Sequence, residues 1–378
     1  MARLSSPGLR ERIRGVGARL YIWADERLGL EGIKAVALAK KVPIHRATFW
    51  YYWGGITLFL FVVQAVTGTM LLIYYRPGAD AYRSVREITY ELDFGWLIRS
   101  IHAWSATLMV ASAFVHMFSV FFMKAFRRPR EFGWWSGLAL LGLTMVFGFS
   151  GYLLPMDTLA YFATNVGLDI PSKIPGVGAL INTIARGGPD VSEVTIQRFF
   201  GLHVLILPML FIGILGVHLL LIVKHGNAVP DDEAAKPASQ QRTMPFFPNF
   251  IAKDLAVWLI TLNVLALLAA VYPWQLGQQA DPLMPAPPGI HPEWYFMSQF
   301  QAFKVLGNAG SALAGETGSA AGEYAGIALF AIGGLLWAMI PFYDRESARG
   351  ARACRATWIG LLALLGLIGM TIWGYAAL

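Results

Sequence analysis

One cysteine in 378 residues removes several chemistries at the outset. Cys354 alone cannot build a disulfide framework, an iron–sulfur cluster or a four-thiolate zinc site, and it reads as an unpaired thiol in a basic loop. Charge is scarce too: 14% of the residues are charged and 56% are hydrophobic. A soluble chain carries about 25% charge, so the composition excludes a soluble globular class and leaves a polytopic membrane protein. The net charge of +7 does not point to nucleic acid, because the basic residues sort by membrane face. Residues 1–49 lack the continuous apolar core of a cleavable signal peptide. They read instead as a cytoplasmic amphipathic segment lying on the membrane surface.

A membrane-crossing helix needs about 20 apolar residues. Seven stretches qualify: Trp50–Tyr75, Trp96–Phe122, Trp134–Leu154, Phe199–Val223, Leu255–Val271, Tyr324–Pro341 and Thr357–Leu378. Helices are the expected form, since each must satisfy its own backbone polar groups. The fold class is therefore all-α, with about seven transmembrane helices. The segments on the N-terminal side hold 22 Lys and Arg and the opposite ones 6, which puts the N-terminus in the cytoplasm. A polar, Pro-rich linker at 224–252 separates a four-span bundle (50–223) from a three-span domain (253–378). "NAGSALAGETGSAAGEYAG", residues 308–326, reads by composition as a mobile outer loop.

Two of the spans carry histidine pairs, His102 with His116 and His203 with His218. A lone histidine on an apolar face is usually a core residue, but two matched pairs inside spans are costly and point to function. Spacings of fourteen and fifteen fall about 40° short of and about 60° beyond whole turns, so each pair shares a helix face. The rise between partners is about 21–22 Å. Zinc on a helix needs histidines one turn apart, and a proton relay needs groups within a few ångströms. Two haems stacked across the membrane fit: His102 and His203 hold the outer one, His116 and His218 the inner one. Gly54 and Gly68 in the first span, and Gly137 and Gly151 in the third, repeat the fourteen-residue interval. They read as backbone cut away beside each porphyrin edge. Arg99 and Arg198, just before the outer histidines, either bind haem propionates or snorkel at the interface.

These residues, with "YYWGGITLFLFVVQAVTG", "WLIRSIHAWSATLMVASAFVH", "GYLLPMDTLAYFATNVG", "RFFGLHVLILP" and "HPEWYF", resemble cytochrome b of the quinol–cytochrome c reductase family, which includes the chloroplast quinol–plastocyanin complex. The likeness covers nearly the whole chain. Four spans plus three resemble the chloroplast-type cytochrome b fused to its small companion subunit, and the fifteen-residue interval is the chloroplast-like value. "FIAKDL" instead resembles the mitochondrial inner quinone site. Ala103 and Met156 depart from the chloroplast type. Tyr52 stands where that type has a haem-attaching cysteine, so a covalent extra haem is not expected.

The resemblance implies two non-covalent b-type haems, with quinol oxidised outside and quinone reduced inside. One electron leaves through a Rieske iron–sulfur subunit to a cytochrome c-type subunit or soluble cytochrome. The other crosses the two haems, and the loop builds a proton gradient. Glu293 is the implied proton acceptor, with Tyr295 hydrogen-bonding nearby; without the family context Glu293 also reads as a helix cap. Lys253 and Asp254 are implied at the inner quinone site, with Lys224 and His225 close by. A homodimeric complex in a bacterial inner membrane is expected. A haem anchor of a dehydrogenase or hydrogenase is the alternative, and a transporter with structural histidines a further one.

Overall fold

The computed structural model describes residues 7–176, 178–344 and 351–378, and the chain divides into two compact units. The smaller comprises residues up to Thr48 together with Asp231–Val257. It holds helices Pro7–Leu28 and Leu30–Ala39 and a two-stranded antiparallel sheet. In that sheet Lys41 pairs with Pro245 and Ile44 with Arg242. The turn Phe246–Phe250 then delivers the chain into helix Ile251–Val271.

Among the described residues, seven helices are long and apolar enough to cross a membrane: Thr48–Leu72, Gly95–Phe122, Glu131–Leu153, Glu193–His225, Phe246–Val271, Trp294–Ala338 and Ala356–Ala376. Large apolar side chains such as Val62, Leu210, Leu259, Leu335 and Leu362 are exposed along them. In water such faces would be a defect, but in a bilayer they meet lipid tails as apolar as themselves.

Within the larger unit, Leu60, Met109 and Phe211 of the first, second and fourth spans pack with Leu265 of the fifth in one apolar layer. Leu60 falls between Gly54 and Gly68, Met109 between His102 and His116, and Phe211 between His203 and His218. This layer therefore separates two histidine levels. On one side of the bundle, helices Ala81–Tyr90, Thr158–Ser172 and Gly178–Ala185 form a cap, packed around Tyr161, Leu168, Ile196 and Phe199. The segment after the fifth span is pinned there. Trp104 donates to the Tyr272 carbonyl (2.8 Å), the Trp274 N–H to Ser100 (2.9 Å) and the Gly277 N–H to Asp157 (3.2 Å).

On the other side, Phe121, Phe126, Trp134, Ile340 and Ala356 form an aromatic-rich cluster, with Trp337 stacked on Phe121 at 4.2 Å. Asp344 is buried beside it, 3.0 Å from Arg127 and 3.7 Å from Lys124. Removing one member of such a buried pair costs roughly 3–5 kcal/mol. The group thereby ties the two halves of the larger unit.

Two expectations are corrected. Residues 308–326 are not a mobile loop: helix Trp294–Ala338 runs through them and breaks only at Ala314 and Gly315. Gly315 has φ +59 and ψ −140, a conformation that glycine adopts without a Cβ clash. The two arms approach so closely that a Cβ on Gly310 would lie 1.9 Å from the Gly318 carbonyl, and one on Gly322 2.1 Å from that of Leu306. The small residues read as loop composition are a helix–helix contact surface. Cys354 likewise lies within helix Ala351–Ala376 rather than in a loop. The Ala- and Arg-rich stretch around it favours helix.

Candidate functional site

The four histidines meet in two levels across the second and fourth spans. His102 and His203 face each other with ring centroids 6.5 Å apart and planes at 72°. The fifteen-residue interval from His203 to His218 is matched to its fourteen-residue counterpart by a π-helical turn over Leu202–Ile206. A π turn absorbs one extra residue, so both pairs present the same helix face.

Each histidine ring lies against one of the four glycines. A Cβ would stand 3.2 Å from His102 at Gly68 and 2.7 Å from His203 at Gly151. It would stand 3.0 Å from His116 at Gly54 and 3.3 Å from His218 at Gly137. A larger residue at Gly151 would force the His203 ring to move, and at the other three glycines the ring would have to give by a few tenths of an ångström.

The residue before the glycine holds the ring's far nitrogen at three positions. Thr67 lies 2.9 Å from His102 Nδ1, Ser136 2.9 Å from His218 Nδ1 and Ser150 3.0 Å from His203 Nδ1. Each hydroxyl spends its proton on a carbonyl of its own helix: Val63 (2.7 Å), Gly133 (3.1 Å) and Phe147 (3.2 Å) respectively. The hydroxyl oxygen must then accept from Nδ1–H. That fixes the tautomer and leaves the Nε2 lone pair for a metal. Spacing alone does not single out these hydroxyls, although the sequence carries their signal: Thr or Ser directly precedes Gly68, Gly137 and Gly151.

The arrangement fits a haem iron. Two metal–nitrogen bonds of about 2.0–2.1 Å, plus the half-width of each ring, separate ring centres by about 6 Å. Neutral imidazoles in an apolar bundle, backed by hydroxyls and cleared by glycines, form such a donor set.

A second cluster lies where the chain enters helix Trp294–Ala338. Glu293 occupies the N-cap position, but its carboxylate makes no capping hydrogen bond. Burial pushes its pKa above the usual carboxylate value, with His291 and the Trp294 backbone N–H opposing. Phe149, Tyr152, Pro292, Tyr295 and Phe296 line a small cleft with it. Tyr152 is a further member that sequence reasoning missed. The Tyr295 hydroxyl rests on the third span, where a Cβ on Gly148 would lie 2.2 Å from it.

A model described as cytochrome b(N-terminal)/b6/petB matches residues 107–279, and one for cytochrome b(C-terminal)/b6/petD matches 279–377. A cytochrome bc complex cytochrome b subunit from Chlorobaculum thiosulfatiphilum is 46% identical over 340 residues, covering 89% of this chain and 76% of its own. The chain belongs to the cytochrome b family. Cytochrome b6 of Chlamydomonas reinhardtii is 42% identical over 214 residues, 56% of this chain and 99% of its own. Among solved structures, a hyperthermophilic respiratory Complex III chain aligns with a TM-score of 0.79 at 30% identity, covering 93% of this chain and 90% of its own.

Arg99 is buried and donates to the carbonyls of Trp274 (2.7 Å) and Gln275 (3.2 Å). Arg198 donates to the carbonyls of Thr183 and Ile184. Each guanidinium has five N–H donors, so these contacts position it without exhausting it. Lys224 and His225 close the fourth span, and the His225 carbonyl accepts from Arg130 at 3.3 Å. Lys253 and Asp254 lie in the first turn of helix Ile251–Val271. There Asp254 Oδ1 is buried without a hydrogen-bond partner.

Proposed function

We propose that Glu293 is the base of the quinol-oxidising site and that His102, His203, His116 and His218 would hold the irons of two b-type haems. At the level of the complex, the protein is the cytochrome b subunit of a quinol-oxidising, proton-translocating respiratory oxidoreductase, and its family carries two non-covalent haems. It is an integral membrane protein working with Rieske and cytochrome c-type partners. Our finer reading is a homodimeric complex in a bacterial inner membrane, with the N-terminus cytoplasmic and a bound or soluble cytochrome as acceptor.

When bound, the two haems supply one-electron carriers at the two levels set by His102 with His203 and His116 with His218. Arg99 and Arg198 offer their remaining donors to propionates. Quinol gives up two protons with its two electrons, and Glu293, held in an apolar cleft, takes one of them. Tyr295 and Tyr152 offer hydroxyls for orienting the quinol oxygens. At the cytoplasmic face, Lys253 and Asp254 supply charge and protons to quinone.

The observation that carries this reading is the facing of His102 and His203 with hydroxyl-fixed tautomers. Haem extraction tests it. Acidified acetone should release two haems per subunit and leave none attached; one haem, or a residue resisting extraction, defeats it.

A further inference from the structure

His116 breaks the pattern of the other three. Its Nδ1 is buried and has no hydrogen-bond partner. The reason lies one residue before its glycine. Thr67, Ser136 and Ser150 precede Gly68, Gly137 and Gly151, but Trp53 precedes Gly54. An indole N–H is a donor only, so it cannot accept from Nδ1–H. The Trp53 Nε1 is itself buried and unpartnered.

Among the described residues, no neighbouring hydroxyl lies within hydrogen-bond distance of His116 Nδ1; those on the same helices make other contacts. Thr57 donates to the Trp53 carbonyl (2.9 Å) and lies 3.0 Å from Ser112. Ser112 donates to Met109 and Ser119 to the His116 carbonyl. Trp53 is also locked in place, stacked on Trp50 at 6.4 Å with Phe49 edge-on. Such aromatic groups belong at a membrane interface. The first span therefore places an interfacial anchor where the other three sites have a hydroxyl.

A hydrogen bond from Nδ1–H raises the basicity of an imidazole toward its metal. A more basic axial ligand favours ferric over ferrous iron and lowers the reduction potential. The outer level has two such bonds, through Thr67 and Ser150, whereas the inner level has one, through Ser136. We propose that Trp53, by denying His116 a hydroxyl acceptor, is a positioning residue that holds the inner haem at a higher potential than a full set of hydroxyls would give. This rests on the two-haem reading above.

The test is a potentiometric titration of the intact complex, following the two α-bands separately. Trp53→Ser and Trp53→Thr supply an acceptor one residue before Gly54, as at the other three sites. Each should lower the inner midpoint and leave the outer one unchanged. Trp53→Leu removes the indole without supplying an acceptor and should not lower it. Equal inner midpoints in Trp53→Ser and Trp53→Leu would overturn the proposal.

Ser136→Ala approaches the same question from the opposite direction, without disturbing the aromatic group. It removes the one hydroxyl at the inner level and should raise the inner midpoint alone. An unmoved inner midpoint there would overturn the proposal even if the Trp53 variants failed to assemble. Fewer than two haems in the unaltered complex would instead defeat the earlier reading, so the two failures are distinguishable.

Discussion

The hydroxyl of Tyr295 occupies space that only a glycine at 148 leaves open: a Cβ there would come within 2.2 Å of the oxygen and 2.8 Å of Cζ. Tyr295 is itself buried, with Phe296 packed at 4.8 Å, so its ring has little room to retreat. Gly148→Ala should displace the tyrosine while leaving both histidine levels intact. A displacement of about 1 Å can cost about a hundredfold in rate, so quinol oxidation should fall by roughly one to two orders of magnitude. Both haem bands should remain. Loss of a haem, or unchanged turnover, would show that Gly148 does something else.

The histidine levels make separable predictions. His102→Ala or His203→Ala should remove the outer haem signal and spare the inner. His116→Ala or His218→Ala should do the reverse. Gly151→Val should behave like His203→Ala, because its Cβ would sit 2.7 Å from that ring before any further methyl is counted. Spectra of purified variants decide this: if loss of one pair leaves both bands intact, the pairing across helices is wrong.

The histidines and glycines were legible in the sequence because helical periodicity projects directly onto spacing. The π turn at Leu202–Ile206 was not, since an inserted residue leaves no compositional mark beyond an interval of fifteen in place of fourteen. Thr67, Ser136 and Ser150 were visible beside their glycines but meaningful only once the rings faced them. The helical hairpin around Gly315 was misread because Gly, Ala and Ser serve close helix packing and loops equally. Asp344 could not be matched to Arg127, 217 residues away, by any local rule. Tyr152 needed the cleft to be seen.

Lys253 and Asp254 carry the prediction for the inner face. Asp254 Oδ1 is buried without a partner, and an unsatisfied carboxylate oxygen at a helix start is costly unless it has work to do. Lys253→Met or Asp254→Asn should slow reoxidation of the inner haem and leave quinol oxidation largely competent. Stopped-flow traces should then show the inner haem accumulating in the reduced state. Normal reoxidation in both variants would reduce the pair to an interfacial anchor.

Glu293 gives the prediction with a definite sign in pH. Burial raises its pKa above the ordinary carboxylate value. A carboxylic acid is neutral below its pKa and cannot accept a proton, so only the ionised form above it serves as a base. Quinol oxidation should therefore rise with pH through that raised value and level off beyond it. Glu293→Gln keeps the shape of the side chain but abolishes the base. General-base contributions are about a hundredfold to ten-thousandfold, so turnover should drop toward that range, less where water or Tyr295 substitutes. The rising limb should flatten, with both haems bound and quinol affinity changed much less. His291 tests the electrostatics independently: its ring is near enough to lower the Glu293 pKa. It packs edge-on against Tyr375 at 5.4 Å. Removing it in His291→Leu should move the rising limb to higher pH without changing the plateau. A limb that persists in Glu293→Gln, or stays fixed in His291→Leu, would assign the titration to another group.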